Sequence, residues 1–298
     1  MLLVKLQGGL GNQMFQYAVA RSLLKSNQNI YLDHHFLENH SVDTDHFTAR
    51  EYELYVFKNI DVRKAAKYQI NFFLSQSFFF KKLRVLAKST VKLIQQKQNE
   101  YIPLDSYTKY HFLYLDGYFQ SPRYFKHLRS NILQEFHFPE LDPQNESIKK
   151  KILNALNAVS VHFRRGDYLK STIVTDIHGV LPISYYDKAL NILQAKYPLL
   201  NLFVFSDDII WAKDNLNRDR TTIQFIDQNK ASDSWKDMAL MSFCKHHVIA
   251  NSSFSWWGAW LSQNNGDVFA PSNWFNPVNI KFNIDDFIPD NWIIIDNE

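Results

Sequence analysis

A single cysteine, Cys244, stands in 298 residues, which excludes an intramolecular disulfide framework and favours a reducing compartment. Long apolar runs are missing too: no stretch reaches the roughly 18 uninterrupted residues of a membrane span. The first residues, "MLLVKLQGGLGNQ", lack the basic start and apolar core of a signal peptide and run from a strand into a glycine turn. A cytoplasmic protein is expected. Charge of one sign is also scarce. A formal net charge of +3 and a sequence pI near 8.7 are too mild for a nucleic-acid partner, though they suit an anionic small ligand or a weak pull toward an acidic membrane surface. Internal repeats and low-complexity tracts are absent.

What is present describes a globular chain. Hydrophobic residues make up 46% and charged residues 21%, enough for substantial cores, and the length suits about two domains. The aromatic share of 15% is high; most of it is expected in cores, a minority as sugar-stacking platforms. Phe78, Phe79 and Phe80 stand in a row beside lysines, in a segment "FFFKKLRVLAK" that either packs as a helix of the first domain or lies on a membrane surface.

From residue 150 onward strands and helices alternate. The strands read "AVSVHF", "NLFVFS", "TTIQFI", "HHVIA" and "DVFAP"; the helices read "ISYYDKALNILQAKY", "DIIWAKDNL", "SDSWKDMALMSFC" and "FSWWGAWLSQ". This alternation predicts a mostly parallel sheet covered on both faces. The first half opens the same way with "MLLVKLQ", the helix "NQMFQYAVARSLLKS" and the strand "NIYLD", then becomes irregular, with residues 68–96 reading as helical. The two prolines and polar run of "PELDPQNESIKK" predict a linker, dividing the chain into domains 1–145 and 146–298.

Three motifs carry chemistry. "GGLGNQ", with Gly8, Gly9, Gly11 and Asn12, follows a strand and opens a helix, so its backbone amides suit an anion. It also resembles part of a dinucleotide fingerprint with Asp33 at the end of the next strand, but Met14 stands where the third glycine belongs. In "HFRRGD", Val159, Val161 and Phe163 have the period of a strand, which leaves His162, Arg164 and Arg165 at its carboxyl end, where open α/β sheets bind ligands. Paired guanidinium forks suit a diphosphate, with one of them facing it; the plainer reading is an ion pair of Arg165 with Asp167. In "ANSSFSWWGAWL", Ser252 and Ser253 either cradle a phosphate or cap a buried helix. "DTD" at 43–45 and the pair Asp207, Asp208 are the acidic signals. The first reads as a solvated loop and Asp207 as a helix cap, and no metal site is expected.

Together, "GGLGNQMFQYA", "HFRRGDY" and "KDMALMSFCKHHVIANSSFSWWGAWL" resemble the α-1,2-fucosyltransferases, glycosyltransferase family 11, in the same order and over almost the whole chain. The resemblance implies a GT-B-like α/β fold, two Rossmann-like domains facing a central cleft, with the first on the acceptor side and the second binding GDP-β-L-fucose. It implies an inverting, metal-independent transfer of fucose to the 2-hydroxyl of a terminal β-galactoside, with no cofactor beyond the donor. The acceptor would be a galactose-terminated oligosaccharide or lipid-linked glycan, met at the inner membrane face. By the same resemblance His162 and Asp237 contact guanine, Arg164 and Ser253 the β-phosphate, and the loop Gly8 to Asn12 closes over the diphosphate; Arg165, Asp207 and Ser252 join the donor set. Guanine offers adjacent N1–H and N2–H donors that one carboxylate accepts together, which gives Asp237 a reason to be there. For the base, Asp167 is chosen by position, with Asp176 and His178 as competitors. Two other readings stand beside this one: an NAD-dependent oxidoreductase built on Gly9, Gly11 and Asp33, and a carbohydrate-binding protein without activity.

Overall fold

The structure, a computed structural model, describes residues 1–44, 47–97, 100–166, 168–169, 172–280 and 282–297, with the backbone alone at residue 173. The chain divides into two units, one of Met1–Asp43 with Ala49–His137 and the other of Thr44–Thr48 with Phe138–Glu298.

The first unit carries β1 (Leu2–Lys5), β2 (Ile30–Asp33), β3 (Val62–Lys64), β4 (Val91–Gln95) and β5 (Phe112–Asp116) in the order β3-β2-β1-β5-β4. All pairs are parallel. β1 is a short apolar run whose Leu2, Leu3 and Val4 are fully buried, as a strand covered on both faces requires. Leu3 and Tyr114 pack with Ile70 and Phe73 from the helix Lys67–Leu74. Residues 68–96, expected to be helical, instead give that helix, a second one at Phe78–Leu86, and β4. The segment "VKLIQ" becomes a strand because it pairs along its whole length with β5; tertiary pairing outweighs its local ambiguity.

The second unit carries β6 (Ala158–Phe163), β7 (Leu200–Ser206), β8 (Thr221–Ile226), β9 (His246–Val248), β10 (Val268–Pro271) and β11 (Ile293–Ile295), all parallel in the order β11-β10-β9-β6-β7-β8. Numbered from its own first strand this is the 3-2-1-4-5-6 order of a doubly wound nucleotide-binding sheet, whose strand order reverses between β6 and β9. Along β6 the alternation is complete. Val159, Val161 and Phe163 pack against Tyr185, Tyr186 and Leu190 of the helix Ile183–Lys196, while Ala158 joins Ile148, Ile152, Leu240 and Met241 on the other face. Burying each such Val, Leu or Phe contributes about 1.5–3 kcal/mol.

The expected linker is a helix. Asp142 accepts from the Asn145 amide at 3.0 Å and Pro143 occupies the first turn of the helix Pro143–Asn154, so the proline starts the helix, its missing N–H falling where no intrahelical bond is made. The chain passes between units at His137 and Phe138, and this helix belongs wholly to the second.

Candidate functional site

The crevice at a strand-order reversal lies outside the carboxyl ends of the strands, here those of β6 and β9. From β6 the chain runs directly into Arg164 and Arg165, and the two point to different duties. Arg164 Nη1 lies 3.3 Å from Asp207 Oδ2, with its guanidinium 5.5 Å from the Tyr168 ring centre. Arg165 lies over the Trp211 ring at 3.8 Å, its Nε 3.9 Å from Asp208 Oδ2. Among the described residues Arg165 thus pairs with Asp208, a long contact backed by a cation–π stack; Asp167, the partner expected of it, lies outside the described residues. Asp207 accepts from the Arg165 amide at 2.8 Å. Burial works against its charge, but the Arg164 guanidinium and the amides of Arg165 and Gly166 hold the carboxyl below the usual range. Asp207 therefore orients Arg164 and is no helix cap. Asp208 is the cap, accepting from the Trp211 amide at 3.2 Å.

From β9 the chain turns through Asn251 into the helix Ser253–Trp260. The Ser252 hydroxyl accepts from the Phe254 amide at 3.3 Å, the capping role. Ser253, half-buried, opens the helix with its hydroxyl uncommitted among the described residues, where partial positive charge favours an anion. Trp256 and Trp257 are fully buried and Trp260 nearly so, so the tryptophans of this block are core rather than sugar platforms. Asn251 is buried and donates through Nδ2 to the His178 carbonyl at 2.8 Å and the Trp274 carbonyl at 3.3 Å, while its Oδ1 is buried with no partner among the described residues. Tyr168 closes the group, donating to the Asn251 carbonyl at 3.0 Å and stacking on His178 at 4.6 Å.

His162 is buried, with Nδ1 unpartnered among the described residues and its ring 5.9 Å from Phe254. Burial first, then the charge of Arg164, pushes the imidazole down to about 3, so it is neutral at physiological pH and costs less to keep dry. Asp237, half-buried in the first turn of the helix Trp235–Phe243, accepts from Asn229 Nδ2 at 2.7 Å. Burial pushes its carboxyl up to about 7, the Asn229 bond opposing. Asn229 is itself held by Asn145 through reciprocal amide bonds of 2.8 and 2.9 Å. The segment expected to be a linker thus buttresses the Asp237 carboxylate.

In the first unit Gly8 adopts φ +74, and a side chain there would strike Asn12; this turn requires glycine. Gly9 caps the helix Leu10–Leu23 and Gly11 is buried within it. Asn12 accepts from Gln120 Nε2 at 2.7 Å. Gln13 pins the loop, donating to the carbonyls of Gly8 and Glu51 at 2.9 and 2.7 Å and accepting from the Glu53 amide at 2.9 Å. The Leu10 amide is engaged by the Glu53 carboxylate, so in this structure an internal anion sits at the helix end. Asp33 is buried and committed, accepting from Tyr114 at 2.6 Å through one oxygen and from the His35 amide at 2.9 Å through the other. These bonds engage Asp33 within its own unit and leave fewer of its acceptor sites to a ribose.

The chain matches the description of Glycosyl transferase family 11 over residues 1–296. It belongs to that family. The α-1,2-colitosyltransferase of Escherichia coli is 31% identical over 99% of this chain and 99% of its own, and the O-antigen biosynthesis glycosyltransferase WbnK of Escherichia coli is 34% identical over 91% and 93%. A galactoside α-(1,2)-fucosyltransferase 1 from Leontopithecus chrysomelas is 29% identical over 56% of this chain and 47% of its own. The fold is α/β, two Rossmann-like units in succession, each built on a parallel sheet.

Against that family frame, the second unit's sheet gathers Arg164, Asp207, His162, Ser252 and Ser253 at the ends of adjoining strands. Of the competitors for base, Asp176 is exposed in the helix Thr172–His178, and His178 stacks on Tyr168. In the "DTD" segment Asp43 accepts from the Ala49 amide at 2.8 Å, and Asp45 lies outside the described residues. Trp211, Asn229, Asn145 and Asn251 escaped the sequence reading. Only the buried Asn before "SSF" left a trace, a polar residue at the end of an apolar strand.

Proposed function

We propose that this family 11 glycosyltransferase moves L-fucose from GDP-β-L-fucose to the 2-hydroxyl of a terminal β-galactoside, with inversion and without a metal ion. One observation carries the reading: Arg164, aligned by Asp207 at 3.3 Å, stands at the end of β6 next to the strand that leads into Ser253 and its helix terminus. A diphosphate there meets a guanidinium fork and helix-end amides. As the bond to the sugar breaks, negative charge grows on the departing β-phosphate, and donors already aimed at it lower the barrier without reorganising. The Asp237 carboxylate accepts from guanine N1–H and N2–H, and the unpartnered His162 Nδ1 meets the purine edge. Asp167 takes the proton of the attacking hydroxyl, a role assigned from its motif position.

Colitose is a second donor sugar to weigh, since the relative matched over 99% of both chains is a colitosyltransferase. It lacks the 3-hydroxyl of fucose, so the two donors share every contact to GDP. The test is GDP release from GDP-fucose, GDP-colitose and UDP-galactose with lactose as acceptor and EDTA present throughout. Release from GDP-fucose alone or in preference supports the proposal; preference for GDP-colitose replaces the sugar and keeps the site. Activity restored only by manganese or magnesium overturns the metal-free mechanism, and no release from any donor leaves the carbohydrate-binding reading.

A further inference from the structure

Residues 62–99 hold nine of the chain's 33 lysines and arginines and none of its 30 aspartates and glutamates. Within them lies the helix Phe78–Leu86, which has no buried residue. At about 100° per residue, Phe78, Phe79, Lys82, Val85 and Leu86 share one side of it, and the four apolar members are 82%, 64%, 71% and 75% exposed. The opposite side is half-buried at Phe80, Leu83 and Arg84. Arg84 ties the helix down, donating to the carbonyls of Phe72 at 2.8 Å and Ser75 at 2.7 Å. This inverts an ordinary surface helix, which buries its apolar stripe and shows its charge. Tyr68 and Leu74 on the preceding helix are exposed as well. Lys81, Lys82 and Lys88 are exposed and free of ion pairs among the described residues.

We propose that this face docks on an anionic lipid surface, the helix lying in the interface plane with Phe78, Phe79, Val85 and Leu86 among the acyl chains and the lysines among the headgroups. The inference stands independently of the transfer reaction. No helix among the described residues is long and apolar enough to cross a membrane, so the contact is peripheral. Charge selects lipid over a second copy of the chain: a two-fold contact would set this acid-free, basic segment against itself, whereas anionic headgroups neutralise it. Lysine stems run along apolar surface while their heads stay wet, which accounts for Lys82 inside the stripe.

The test is flotation of the full chain with vesicles of phosphatidylcholine alone and of phosphatidylcholine mixed with phosphatidylglycerol. Binding to the mixed vesicles, at least about ten-fold stronger than to the neutral ones and weakened by salt, is expected. The double variants Phe78→Ser with Phe79→Ser, and Lys81→Glu with Lys82→Glu, each lower it on the order of ten-fold or more. Both change only exposed side chains, so GDP binding and the unfolding midpoint are retained and report an intact fold. Three results overturn the proposal: no flotation with the mixed vesicles, flotation unchanged in both variants, or a dimer in sedimentation that the phenylalanine variant dissociates while vesicles leave it intact.

Discussion

Asp237 offers the sharpest reading of the donor site because its carboxyl is pushed up to about 7 by burial. Only the carboxylate accepts from both guanine donors, so nucleotide affinity should follow its ionisation. With a pKa of about 7, roughly three quarters of the chains carry the carboxylate at pH 7.5 and roughly one in thirty at pH 5.5, a loss of about 25-fold in affinity. His162, held down at about 3, stays neutral across this window and adds nothing to the slope. The ligand should be GDP-fucose and not GDP, whose terminal phosphate titrates near pH 6 itself. Calorimetric titrations between pH 5.5 and 8 are the assay. Asp237→Asn should bind about 1–3 kcal/mol more weakly at pH 7.5 and lose the pH dependence. The free protein gives a second arm of opposite sign. A carboxyl raised in the folded state binds its proton more tightly than when unfolded, so its contribution to stability is present below about pH 4 and is lost as pH rises through 7. Asp237→Asn, always neutral, should therefore unfold at a higher temperature than the parent at pH 8. An affinity flat with pH in the parent, or a slope that survives in Asp237→Asn, refutes the assignment of guanine to this carboxylate.

Further outcomes follow from the same geometry. Arg164→Lys keeps the charge opposite Asp207 but not the planar fork, and turnover should fall on the order of 10²-fold; a near-native rate of GDP release places Arg164 away from the leaving group. In Gly258→Ala the new Cβ would lie 2.9 Å from Met241 Cβ where two helices cross, so the urea midpoint should drop by the equivalent of about 1–3 kcal/mol, and an unchanged midpoint means the helices separate freely. Among Asp167→Asn, Asp176→Asn and His178→Ala, the base variant should lose transfer about 10²-fold or more while keeping GDP affinity; normal transfer by Asp167→Asn removes that residue from the mechanism.

The second unit was legible because its central strands are long and its helices amphipathic. "AVSVHF" coincides with β6 and "NLFVFS" covers all but the first residue of β7. The three-residue β11 gave no such signal. In the first unit β3 and β4 are the edges of the sheet, where one flank is unpaired and the apolar alternation weakens, and β4 follows two helices whose pattern runs on into it. β5 is an apolar run too short to distinguish from a helical segment by periodicity. At the site, the arginines were readable from their place after a strand, and the serines from their place before a helix. The division of labour between them was not, since Trp211, Asp207 and Asp208 arrive from the end of the neighbouring strand. Choosing Asp207 as cap missed by a single residue, and the Pro-rich polar run concealed a helix start because the cap, Asp142, precedes proline.

The central claim is that the crevice between β6 and β9 holds the GDP moiety. Hydrogen exchange of the full chain with and without GDP, read peptide by peptide, tests it most directly. GDP held there slows exchange in peptides covering residues 160–166, 227–238 and 249–256. Protection confined to the glycine turn and the end of β2, with none after β6 and β9, would contradict it.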